Sequence, residues 1–166
     1  MAKFHPELDL LTEYAAGSLS LAQAACVAAH MNYCEQCRRT AGQLEDLGAT
    51  LFDSLQPEAV GDVQLNAVLA RLDDLPPLSY TRVEQPLAGQ TPALLQRLMR
   101  GDFADLAWKK ITKTLSISYL STGDPGYEFA LYHIKAGGRI PEHAHRGSEM
   151  TLVVEGGFSD ANGSYH

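Results

Sequence analysis

A chain of 166 residues, 45% hydrophobic and 20% charged, can form one ordinary domain or two small ones, and each half of it can bury only a modest core. Its net charge of −7 lies wholly in residues 1–75, where Lys3, Arg38, Arg39 and Arg71 face eleven acids, whereas residues 76–166 carry nine of each sign. The first half is therefore repelled by nucleic acid and attracted to a basic protein, such as one whose own task is to bind DNA, and with no apolar run of about 18 residues and no leader-like N-terminus a soluble, cytoplasmic protein is expected.

The spacing of Leu8, Leu10, Leu11, Tyr14 and Ala15 predicts a first helix over residues 6–16, with Pro6 in its first turn and Gly17 as its stop. Ser18 or Ser20 can cap a second helix, Leu21 to Tyr33, whose alanines favour helix and allow close packing. A third runs from about Glu35 towards Leu55 with Leu44, Leu47, Leu51, Phe52 and Leu55 on it and Gly48 as a weak point. Asp62 can cap a fourth through Leu75, striped by Leu65, Val68, Leu69 and Leu72. Such a stripe is usually core, but on helices that run past the rest of a small bundle it can equally be a groove for a partner helix.

Between helices two and three, His30-Met31-Asn32-Tyr33-Cys34-Glu35-Gln36-Cys37 places three soft-metal ligands within eight residues. His30 and Cys34 are four apart, on one helical face, and Cys34-x2-Cys37 can close on the same ion across the following turn. Zinc, held tetrahedrally at about 2.0 to 2.3 Å, suits this set best. A thioredoxin-like redox pair would want a strand before the first cysteine, and the preceding Ala-Ala-Cys-Val-Ala-Ala is helical in character. The candidates for a fourth ligand are Cys26 and His5. On one helix Cys26 and Cys34 stand about 12 Å apart along the axis, and ligand atoms on one zinc are only about 3.5 to 4 Å apart. Cys26 thus competes with Cys34, and His5, beside a proline at a helix start, is the expected fourth ligand. Three cysteines, two of them in this pair, argue for a reducing compartment and against a disulfide framework.

Periodicity stops over residues 76–92, where Pro76, Pro77, Pro86, Pro92 and Gly89 mark a linker. A short helix over 93–100 follows, and then strands over residues 110–120, 127–134 and 150–154, with Ser121 to Gly126 as a turn. Before the last strand, His143 and His145 are two apart, so on an extended chain both imidazoles point to one face, which Glu149 can reach. Two imidazoles and a carboxylate suit zinc, iron or manganese.

His5 with His30-x3-Cys34-x2-Cys37 resembles the zinc-binding anti-sigma pattern, and the neighbouring His5-Pro6 and Tyr14-Ala-Ala-Gly-Ser-Leu segments strengthen the match. Gly137-x5-His143-x-His145-x3-Glu149-x6-Gly156 matches the first cupin motif at every position. The whole chain resembles ChrR-type anti-sigma factors, which join a zinc domain to a cupin domain. The resemblance implies an α+β multidomain protein: an all-α zinc-binding bundle over 1–75, a linker over 76–92, and over 93–166 the first part of an all-β, jelly-roll-like cupin. That cupin is expected to be incomplete, because the second cupin motif, whose histidine is the fourth ligand, has no counterpart here and His166 lacks the Pro and Gly that precede that ligand. Also implied is a function: binding an extracytoplasmic-function sigma factor, as a 1:1 heterodimer, so that it cannot join core RNA polymerase, and releasing it in response to singlet oxygen or organic peroxide. Neither nucleic acid nor membrane is an expected direct partner, and no catalysis is expected. The alternative is a small metal-dependent cupin enzyme, oxygenase- or isomerase-like, with His143, His145 and Glu149 as its metal site. The sequence offers no separate general base for it. A DNA-binding finger built on the Cys/His cluster is opposed by the acidity of that half.

Overall fold

The computed structural model describes residues 4–59, 61–74, 91–141 and 147–166. Its helices are α1 (Leu8–Ala15), α2 (Leu21–Tyr33), α3 (Glu35–Asp53), α4 (Asp62–Asp74) and α5 (Ala93–Met99). Its strands are β1 (Lys109–Lys110), β2 (Leu115–Leu120), β3 (Phe129–Ile134), β4 (Phe158–Ser159) and β5 (Ser164–Tyr165).

Helix α1 starts two residues after Pro6 and stops where Gly17, at φ 69°, turns the chain. Of its expected apolar row only Leu11 is buried, with Leu10 and Tyr14 half-buried; Leu8 faces solvent. A helix of two turns has one narrow face to bury, and Leu8 lies off it. Ser20 caps α2 reciprocally: the Gln23 N–H donates to Ser20 Oγ (3.2 Å), and the Ser20 N–H donates to Gln23 Oε1 (3.4 Å). The small side chains of α2 then let the bundle close, with Ala22, Ala25, Val27 and Ala29 all buried. Cys34, extended at φ −120° and ψ 102°, ends α2 and caps α3. An Arg38 guanidinium N–H donates to the Met31 carbonyl across this corner.

Leu11, Val27, Cys34 and Cys37 form the first core, with Leu10, Tyr14, Leu19, Met31 and Leu44 around them. Only two of the four are sizeable aliphatics, too few to hold such a bundle by apolar burial alone. Past Ala41 and Leu44, α3 continues through Gly48 without a break and leaves this core behind. Asp62, expected as a cap, is instead the first residue of α4, and the Gly61 carbonyl accepts from Gln64 and Leu65.

The expected linker falls almost wholly outside the described residues. Helix α5 ends at Arg100, which takes a left-handed φ of 58°. Its Leu95 and Met99 form a second core with Ala29 of α2, packed by Leu120, Phe129 and Leu131 of the sheet and by Leu152 and Val154. One short helix thus touches both halves.

The sheet is antiparallel, in the order β1-β2-β3, with Leu115 opposite Ile134 and Leu120 opposite Phe129. A continuous strand over 110–120 is not what forms. Ile111 and Thr112 both donate back to the Leu115 carbonyl, and Thr112 Oγ1 accepts from the N–H groups of Thr114 and Leu115, so the segment turns on itself and Lys110 pairs with Ser116. A threonine hydroxyl that satisfies local backbone donors competes with the ladder, and here it wins. The third strand starts at Phe129, two residues later than expected, after a turn in which Asp124 Oδ1 accepts from Gly126 N (2.9 Å). Residues 150–154 form no strand: Leu152 and Val154 dock on the second core, but among the described residues no ladder is recorded for this backbone. Apolar burial is satisfied there without strand pairing. Instead, β4 and β5 make a hairpin whose turn is held by Asp160 Oδ1, which accepts from Asn162 N (2.7 Å) and Gly163 N (2.9 Å).

Candidate metal centre

Three ligating side chains come from the α2–α3 corner. His30 is on the last turn of α2, Cys34 is the corner itself, and Cys37 is on the first turn of α3. The Cys37 N–H points at Cys34 Sγ (3.5 Å), a contact that fixes the sulfur at the start of α3. His5 arrives from the extended segment before α1, with its Nδ1 at 3.3 Å from Cys34 Sγ and 3.5 Å from Cys37 Sγ, and its ring meets His30 edge-on with centroids 5.9 Å apart. One ligand atom from each of the four residues lies within 4.8 Å of the others. His30, Cys34 and Cys37 are buried, and His5 is exposed.

This donor set fits a tetrahedral soft cation. Separations near 3.5 Å are those of atoms that share one zinc. Among the described residues His30 Nε2 is buried with no hydrogen-bond partner, an arrangement that costs about 1 to 3 kcal/mol unless something takes its lone pair. Burial, and then the charge of His5, lower the His30 pKa and keep the ring in its neutral, ligating form. Burial, followed by the hydrogen bond and charge of Cys34, pushes the Cys37 thiol up to about 11. Two adjacent thiolates are thus unfavourable by themselves, and a dication is the natural agent to deprotonate both. Cys26 lies outside this group, half-buried on α2, and burial pushes its thiol up to about 11.

Of the second cluster, His143 and His145 fall outside the described residues. Glu149 is exposed, and its Oε1 accepts from Thr151 Oγ1 (3.2 Å). Burial, and then the charges of Glu128, Tyr119 and Glu149, raise the Tyr132 pKa, which places Glu149 near the β3 face that carries Tyr132. Sequence reasoning missed one group beside the metal centre, the rings of Phe4, Phe158 and Tyr165, which pack together although they come from opposite ends of the chain. The Asp160-Ala-Asn-Gly turn between Phe158 and Tyr165 could have revealed their hairpin, but no local signal pairs it with Phe4.

A family profile described as the ChrR cupin-like domain matches residues 96–166. The anti-sigma-E factor ChrR of Cereibacter sphaeroides is 35% identical over 163 residues, spanning 95% of this chain and 73% of that protein. A crystal structure of Rhodobacter sphaeroides SigE in complex with the anti-sigma ChrR matches at a TM-score of 0.83 and 30% identity, over 99% of this chain and 83% of the matched one. Helices carrying a His/Cys cluster that could hold a metal ion, joined to a cupin-like sheet, define the class of anti-sigma regulators with an appended cupin. The chain belongs to the ChrR family of anti-sigma factors. Regulation and not catalysis is the work of that family, and the cupin-enzyme alternative falls away. Among the described residues no helix is long and apolar enough to cross a membrane.

Proposed function

We propose that this chain binds an extracytoplasmic-function sigma factor, one to one, in the cytoplasm where transcription occurs, and keeps it from core RNA polymerase through the helical half, residues 1–75. The observation that carries this reading is the uncovered apolar surface of α3 and α4. Phe52 is 77% exposed, Val68 58% and Leu69 49%, and Leu47, Leu51, Leu55, Leu65 and Leu72 are similarly open. Monomeric proteins rarely leave such rows uncovered, and amphipathic stripes at helical spacing suit a partner's helices. The same half carries the whole net charge of −7, complementary to a basic partner.

His5, His30, Cys34 and Cys37 hold a structural zinc in this reading, the ion supplying the cohesion that the small first core lacks. The linker over 76–92 joins this domain to the cupin-like half, 93–166, in which His143, His145 and Glu149 hold a second divalent metal. That half senses singlet oxygen or organic peroxide and alters how the two halves dock. Only a difference in sigma affinity between those arrangements can release the partner.

A sigma-dependent reporter in the native host separates the two roles. Residues 1–75, verified as folded and zinc-loaded, are expected to repress like the full chain. His143→Ala, His145→Ala and Glu149→Ala in the full chain are expected to repress normally and to blunt induction by oxidant. A folded fragment that fails to repress, or cupin variants that lose sigma binding, would move the inhibitory surface out of the helical half.

A further inference from the structure

Three of the four residues in the metal cluster sit at a helix–helix corner, where backbone hydrogen bonds fix them. His5 does not. It lies three residues before α1, exposed, in a segment with no secondary structure. Its position therefore depends on what holds the residues on either side. On the α1 side that is Pro6. On the other side it is Phe4, whose ring packs on Tyr165 of β5 with centroids 4.6 Å apart. Tyr165 stacks in turn on Phe158 of β4, at 4.8 Å and 24°. The hairpin turn lies against the same ring: a Cβ built at Gly163 would lie 3.6 Å from Phe4 Cζ, in ordinary van der Waals contact.

We infer that the β4–β5 hairpin of the cupin-like half clasps the N-terminal segment through Phe4, Tyr165 and Phe158, and thereby positions His5 for the metal. Tyr165 and Phe4 are positioning residues, acting through the neighbouring His5. The inference rests on the zinc reading given above. Its consequence is a physical route between the halves that bypasses the linker: displacing the hairpin loosens the one ligand that no helix fixes. The coupling is reciprocal, so metal held through His5 also steadies the hairpin.

The two rings lie outside both buried cores, so their removal spares the bundle and the sheet. Zinc transfer from the full-length, zinc-loaded protein to a chromophoric chelator reads the effect directly. Loss of a group that orients a ligand typically weakens metal binding by about 10- to 100-fold. Phe4→Ala and Tyr165→Ala are each expected to release zinc about tenfold faster than wild type, at the low end of that range because the clasp acts one residue away from the ligand. Tyr165→Phe keeps the ring and is expected to behave as wild type. The double Phe4→Ala/Tyr165→Ala variant is expected to be no worse than either single one, because both remove the same contact. Release at the wild-type rate from Tyr165→Ala, or additive effects in the double variant, overturns the clasp while leaving the zinc reading intact. A wild-type chain that binds no zinc overturns both.

Discussion

Replacing Val68 and Leu69 of α4 by aspartate is expected to abolish stable sigma binding while leaving the free protein folded and zinc-loaded. Both side chains are about half exposed, so their replacement removes little from the protein's own core, and surface changes of this kind usually alter stability by no more than about 0.5 kcal/mol. In a complex that buries the stripe the situation reverses. An apolar anchor at the centre of an interface is worth about 2 kcal/mol or more when truncated, and a buried unpaired carboxylate adds its desolvation cost, so each substitution should weaken binding by roughly 30-fold or more. The sign separates two accounts of the surface. If the acidity of the half were the whole attraction, two further acids would strengthen binding to a basic partner. Calorimetric titration of V68D/L69D with the sigma factor distinguishes them, and affinity at or above wild type would exclude the stripe as the docking face.

The second large effect concerns the metal cluster. Apart from the metal ligands, the first core offers little more than Leu11 and Val27, whereas a structural zinc contributes about 10 to 16 kcal/mol in small zinc domains. Cys34→Ser or His30→Ala should therefore lose stoichiometric zinc and destabilise the helical half by about 5 kcal/mol or more, enough to unfold it. Cys26→Ala is the control, since Cys26 lies outside the cluster; it should retain one equivalent at this site. Metal content and far-ultraviolet circular dichroism of the purified variants check both statements. Zinc lost from Cys26→Ala but retained in His5→Ala would exchange the two assignments.

The helical half was legible in the sequence where local chemistry decides. Ser20 with Gln23 marks the start of α2, and Cys34 marks a corner because the ligand spacing there fits a turn between two helices. Helix rise and ligand separation set Cys26 aside and left His5, beside a proline at a helix start, as the candidate, and His5 Nδ1 lies within 3.5 Å of both cysteine sulfurs. Periodicity was less informative about burial. The rows on α3 and α4 have the spacing of core stripes, and only the fold reveals that they stand exposed among the described residues, because cover depends on which elements lie nearby and not on the row itself. Strand pairing was harder still. Thr112 and Thr114 break a run that reads as one strand, and Leu152 and Val154 pack without a ladder, since β-rich composition reports a half-buried surface and carries no information about backbone partners. The contact of Phe4 with Tyr165 is wholly tertiary.

Competition for the sigma factor is measured most directly by adding increasing amounts of the full-length, zinc-loaded protein to the sigma factor and core RNA polymerase while following holoenzyme by size exclusion. The expected result is a one-to-one complex of this protein with the sigma factor that grows as holoenzyme declines, and that V68D/L69D does not form. A stable assembly containing core polymerase, the sigma factor and this protein together, or holoenzyme unaffected by an excess of the protein, would contradict it.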